Sequence, residues 1–166
     1  MQKVAIITDE TCDMPLNFFK DLAIEVMPFK IIFSDKVFNS VGVGGELTLD
    51  EYYHRAGQEL PTTSIPPPGV IAKTLESALA KAETVICLFI TECFTSIYKH
   101  TLMVIKQLFP DKDIVCYDTK VTGAALATIV LAAAKLAKAG KSKAEVIAKI
   151  EDWLPQVQYV GIMHTL

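Results

Sequence analysis

Positive charge is in short supply in this chain. Sixteen Lys and Arg stand against nineteen Asp and Glu over 166 residues, a formal net charge of −3, and the basic residues form no run. A nucleic-acid partner therefore has no electrostatic footprint to read, and none is expected. Apolar stretches of bilayer length are missing as well. The longest, Val121 to Ala134, is interrupted by Thr122, Gly123 and Thr128 and is too short to span, so no membrane span is expected. Cys12, Cys87, Cys93 and Cys116 make no C-x-x-C pair, and His54, His100 and His164 are scattered. That spacing supports neither a zinc site nor a disulfide framework, and reduced, structural thiols are expected. The opening Met1-Gln2-Lys3 leads into an apolar stretch too short for a signal-peptide core, with Asp9 close behind, which predicts a cytoplasmic protein. Nucleotide and hydrolase signatures are absent: no G-x-S-x-G elbow and no Walker loop occur, and Gly42-Val43-Gly44-Gly45 lacks dinucleotide spacing. No metal or cofactor is expected, and the protein is not read as an enzyme.

What the chain does have is apolar residue in patterned blocks. Hydrophobic residues make up 51% and charged residues 21%, the balance of a globular chain with a core of its own. Strand patterns occur at Val4–Ile7, at Val26–Phe33 with Pro28 suggesting an edge position, at Thr84–Ile90, at Asp113–Tyr117 and at Gln158–Met163. The run Thr84–Ile90 is continuously apolar and should be buried on both faces, as in a parallel sheet. Helical patterns alternate with these strands. They begin at Pro15, at Thr48 with Glu51 three residues on, near Val70, near Phe94, at Val121 and at Ser142. The Val121–Ala139 helix is apolar nearly all round, hence central, and Gly140 should end it. The alternation predicts an α/β fold, a three-layer, open, mostly parallel sheet with helices on both faces.

In such sheets ligands bind beyond the carboxyl ends of the strands. Three loops leave such ends here: Thr8 to Asp13, Thr91 to Ser96, and Asp118-Thr119-Lys120. A fourth segment, Leu60-Pro61-Thr62-Thr63-Ser64-Ile65-Pro66-Pro67-Pro68-Gly69, sets three hydroxyls in a row inside a stiff, proline-rich frame. Single Ser, Thr and Asp residues in loops are ordinary caps and turn formers. The hydroxyl triplet is more than a cap needs, so Thr62, Thr63 and Ser64 are the leading ligand contacts. Asp9, Glu92 and Asp118 form a competing set, since three carboxylates at one sheet edge could hold a divalent cation.

The same phrases resemble the DegV family of fatty-acid-binding proteins. Residues 3–15, from Lys3-Val4-Ala5-Ile6-Ile7-Thr8-Asp9 through Thr11-Cys12-Asp13 to Pro15, resemble the family opening I-x-T-D-S-T-x-D-L-P, with Glu10 in place of the common serine. Leu47 to Tyr53 resembles its I-T-x-E-E-F-Y helix start, and Pro61 to Gly69 its P-T-T-S-Q-P-S-P-G signature. The resemblance implies two domains with a fatty acid between them. It implies a carboxylate held by hydroxyls of the Thr62-Thr63-Ser64 loop, Thr62 foremost, and by a second loop reading S-S-x-L-S-G-x-Y. It also implies that some members present the acyl chain to a fatty acid kinase. The second loop aligns with Thr91 to Tyr98, where Thr91 and Thr95 keep hydroxyls, and Phe94, Ile97 and Val121 would line the tail.

Two departures stand out. Glu92 occupies a serine position of the family, and one carboxylate facing another at about 4 Å costs roughly 4 kcal/mol at an effective dielectric near 20. Glu92 is thus expected to turn away, to be protonated, or to exclude fatty-acid anions. The second is length: Met163-His164-Thr165-Leu166 stands where the family continues into its second domain, so a single N-terminal domain over 1–166 is expected. The expected function is fatty-acid binding with the head group on Thr62, Thr63, Ser64, Thr91 and Thr95. The alternative is an interaction module without lipid, associating through its former inter-domain surface with another copy or a second polypeptide.

Overall fold

A computed structural model describes residues 2–40 and 45–162. Its frame is a four-stranded, wholly parallel sheet in the order β2-β1-β6-β7. Strand β1 (Gln2–Asp9) leads through a 3-10 turn at Glu10–Cys12 and helix α1 (Leu16–Asp21) to β2 (Glu25–Met27). A second sheet follows, β3 (Lys30–Ile32) and β4 (Val37–Asn39), then helix α2 (Leu49–Ala56) and β5 (Thr62–Ser64). These three short strands pair antiparallel in the order β4-β3-β5. The chain returns through α3 (Pro68–Leu79) to β6 (Ala82–Phe89), through α4 (Ile97–Leu108) to β7 (Ile114–Asp118), and ends in α5 (Gly123–Lys138) and α6 (Lys143–Trp153).

The apolar runs of β1 and β6 explain the frame. Val4 to Ile7 and Val85 to Ile90 are buried without alternation, because helices cover both faces. Helices α3 and α4 pack side by side, α5 and α6 likewise, and α5 lies across β1. Seven residues of α5, from Leu126 to Ala137, are buried, as its all-round apolarity predicts. Its end is a Schellman motif: Gly140 at φ 75° donates to the Ala137 carbonyl and Lys141 to that of Leu136. Ser142 then caps α6 in a reciprocal capping box with Glu145.

Three sequence expectations change. The Val26–Phe33 run is not one strand: Pro28 interrupts it, so that β2 ends on the edge of the parallel sheet and β3 begins the antiparallel one. Residues 158–162 form no strand. Val160 and Ile162 are exposed and find no ladder among the described residues, while Met163 lies outside them. The Thr62-Thr63-Ser64 segment is a paired strand rather than a loop. Residues 42–44 of the glycine-rich stretch lie outside the described residues.

Candidate ligand cleft

The strand order creates the site. From β1 the chain moves to one side, to β2, and later to the other side, to β6 and β7. The gap beyond the carboxyl ends of β1 and β6 is therefore a topological switch point. A cleft of about 460 Å³ opens there. Glu10, Thr11 and Asp13 line it from the β1 loop, Ile90 from the end of β6, and Phe94 and Thr95 from the loop before α4. The antiparallel ribbon and α2 form the opposite wall with Phe29, Ile31, Thr63, Leu49, Tyr52 and Tyr53. Leu49, Tyr53 and Phe94 are 55%, 70% and 65% exposed, so the cleft is an open, largely apolar groove edged by hydroxyls.

Asp9 holds the floor together. It is fully buried; Oδ1 accepts from the Thr11 amide at 3.0 Å and from its hydroxyl, and Oδ2 accepts from the Ile90 amide at 2.8 Å. One carboxylate thus ties the β1 loop to the end of β6. Burial raises its pKa against the pull of these hydrogen bonds. Asp13 turns the chain in the left-handed region at φ 48°, which Asp tolerates better than most residues, and desolvation raises its pKa too. The Phe29 amide donates to Glu10 Oε1 at 2.6 Å, fixing the ribbon's entry against the β1 loop.

Of the hydroxyl triplet, Thr63 lines the cleft and Thr62 and Ser64 do not. Alternation is the reason. Thr63 pairs with Ile31 and shares its face, whereas Thr62 and Ser64 pair with Ile32 and Lys30 on the other face. Thr95 lines the cleft, but Thr91 is buried behind it; its hydroxyl accepts from the Cys93 amide at 3.3 Å and borders a neighbouring groove with Lys120 and Tyr159.

The remaining candidates separate by simple geometry. Phe94 is on the cleft rim, but Ile97 is in the core, because the first turn of α4 places it on the buried face. Asp9 lies beneath the lining rather than in it. Glu92 points out to a Lys99 ammonium 3.2 Å away and does not line the cleft, so the expected clash with an anion does not arise from it. Asp118 accepts from the amides of Glu92 and Lys120 at 3.2 and 3.1 Å and serves the loop. The three carboxylates do not converge, and no cluster able to hold a metal occurs among the described residues. Val121, expected beside the tail, is buried and borders the neighbouring groove. The residues missed in sequence were Ile90 at the end of β6 and Phe29, Ile31, Leu49, Tyr52 and Tyr53, which only the ribbon's fold-over brings to this edge. Thr11 and Asp13 carried a signal, since they sit in the first loop leaving a strand end.

The model of the DegV family of uncharacterised proteins matches residues 3–166. The chain belongs to the DegV family. A DegV domain-containing protein of Clostridium perfringens is 33% identical over 148 residues, which is 89% of this chain and 51% of that protein. One from Caldanaerobacter subterraneus is 26% identical over 168 residues, 58% of its length. The chain therefore spans about half the length of these DegV relatives. Among solved structures, a fatty-acid-binding DegV family protein from Thermus thermophilus superposes with a TM-score of 0.80 at 25% identity, over 93% of this chain and 54% of that one. DegV of Bacillus subtilis, a fatty acid binding protein, shares the fold with a TM-score of 0.77 at 20% identity, over 93% and 55%. No helix among the described residues is long and apolar enough to cross a membrane.

Proposed function

We propose that this DegV domain is a non-catalytic lipid-binding module that takes a fatty acid or a like acyl lipid in the switch-point cleft. The observation that carries the reading is the wall composition: aromatic and aliphatic side chains on both sides, with the Thr11, Thr63 and Thr95 hydroxyls on the same cleft. Fatty-acid binding by the Thermus thermophilus relative supports it. Each buried methylene contributes about 0.8 kcal/mol, so an acyl chain laid between these walls gains affinity along its length. Thr63 and Thr95 hold the head group, and Leu49, Tyr53 and Phe94 flank the tail. A fatty acid kinase is the partner class that would meet a head group presented at this open mouth. Native mass spectrometry of protein purified from a bacterial host is the test. A co-purified acyl chain, lost in a Phe94→Asp variant that keeps its fold, is the expected result. A lipid-free protein that also fails to take up added lipid overturns the reading.

A second reading draws on the exposure of Leu49, Tyr53 and Phe94 around the cleft. Apolar side chains gathered at one edge also suit association with another copy or a second polypeptide. A lipid-free dimer that dissociates on Tyr53→Asp substitution is what this reading expects.

A further inference from the structure

Two thiols sit opposite each other in the parallel sheet and take no part in the cleft. Cys87 of β6 and Cys116 of β7 are register partners, so their side chains leave the sheet on the same face. Neighbouring strands run about 4.7–4.9 Å apart, inside the Cα separation of about 4.4–6.8 Å that a disulfide spans. The two thiols are close enough to share a hydrogen bond. Cys87 is fully buried, whereas Cys116 is only partly buried and stands on the edge strand of the sheet. Neither of the other two cysteines belongs to a strand. Cys12 is buried and donates to the Asp9 carbonyl at 3.2 Å, and Cys93 is exposed in the loop after β6.

We infer that Cys87 and Cys116 form a reversible redox site, a dithiol that peroxides convert to a cross-strand disulfide. Cys116 reacts first, because solvent reaches it; burial and the neighbouring thiol raise the Cys87 pKa well above the ordinary thiol range. The Cys116 thiolate attacks one peroxide oxygen, the O–O bond breaks, and a sulfenic acid and water result. The Cys87 sulfur then attacks the sulfenic sulfur, the S–O bond breaks, and the hydroxyl leaves as water with the Cys87 proton. Two thiols and one hydrogen peroxide become one disulfide and two waters, sulfur losing the two electrons that the peroxide gains. Directly opposed Cβ atoms stand at about the strand spacing, wider than the roughly 3.8 Å of a relaxed disulfide, so the bond draws β7 toward β6 and small thiols reduce it readily. Cys87 lies just before Ile90 of the cleft, and Cys116 just before Asp118, whose carboxylate accepts from the Glu92 amide. Oxidation therefore stiffens the frame side of the cleft without altering its lining.

Exposure of the folded, reduced chain to hydrogen peroxide, followed by thiol alkylation, digestion and mass spectrometry, tests it. The expected product is a peptide pair joined through Cys87 and Cys116, two hydrogens lighter than the reduced pair and separated again by dithiothreitol. In a Cys87→Ala variant the reaction should halt at a Cys116 sulfenic acid, which dimedone traps. Amide exchange at residues 114–118 should be slower in the oxidised chain than in the reduced one. Oxidation of the unaltered chain that reaches only Cys93, that leaves Cys116 as a sulfenic or sulfinic acid, or that joins Cys87 to Cys116 only once urea has unfolded the protein overturns the inference. None of these outcomes bears on the lipid site.

Discussion

The two sheets of this domain follow different logics. The parallel sheet is thick: β1 and β6 are buried along most of their length between helix layers, and a single large cluster from Val4 to Ile150 fills the interior. The antiparallel ribbon is thin. Its own core is four buried residues, Ile31, Phe33, Phe38 and Leu47, with Tyr52 packed against them. The Arg55 guanidinium closes that core, 5.2 Å from both the Phe33 and Phe38 rings and paired with Asp35 at 2.9 Å. The difference separates roles. Stability is concentrated in the parallel frame, while the ribbon and α2 contribute an adaptable wall to the cleft and depend on the frame for their position.

Substitutions can break this division. Leu88→Ala removes a fully buried side chain from the carboxyl end of β6, a central strand of the sheet, and should cost about 2–5 kcal/mol of global stability, read as a fall in the urea midpoint at constant slope. Phe38→Ala should act locally instead, releasing about 3 kcal/mol of protection from the ribbon. Amide exchange should accelerate at residues 30–39 and 62–64 while β1 and β6 keep their protection; equal loss in both sheets would refute the division. Asp9→Asn strikes the tie between the β1 loop and the end of β6, beneath the cleft. The asparagine NH2 accepts no hydrogen bond, so the remaining oxygen can serve only one of the Thr11 and Ile90 amides, and about 1–3 kcal/mol should be lost in thermal or urea denaturation.

Smaller effects sharpen the contrast between neighbouring residues. Thr63→Val should weaken lipid binding by about 1 kcal/mol, roughly fivefold, and Thr62→Val should leave it within error, because only the former faces the cleft. The reverse order in a binding titration would place the head group on the ribbon's other face. Smallest in effect is Glu145, far from the cleft. Lys141 and the Ser142 cap lower its carboxyl pKa from 4.5 to about 2. A folded-state value below the unfolded one means the capping box stabilises the fold above pH 4.5 and loses that contribution as pH falls toward 2. Carbon-detected NMR should put the Glu145 midpoint near 2, and Ser142→Ala should return it toward the ordinary range.

Much of the frame was legible in sequence for a physical reason. A strand buried on both faces must be continuously apolar, and Thr84–Ile90 could be little else. Gly140 and Ser142 announced a helix end and a helix start because positive φ and an N-cap oxygen are chemical requirements of those positions. The site was legible only in outline. The proline-framed hydroxyls and the loop after β6 were recognisable, but Glu92 reads as a threat to an anion until its partner Lys99 is seen. The Gln158–Ile162 stretch has a strand's composition without a strand's neighbour, and β propensity without a pairing partner forms nothing.

Sequence alone determined the core parallel strands and the helices that alternate with them, the membership in the DegV family and the general edge at which a ligand would sit. Those follow from periodicity, caps and turns, which act over a few residues. Tertiary structure decided which side chains share the cleft: that Thr63 faces it and Thr62 does not, that Asp9 ties its floor, and that Glu92 turns away from it to Lys99. Such choices depend on strand register and on the packing of segments tens of residues apart, and a one-residue change of register would turn every one of these ribbon side chains to the other face.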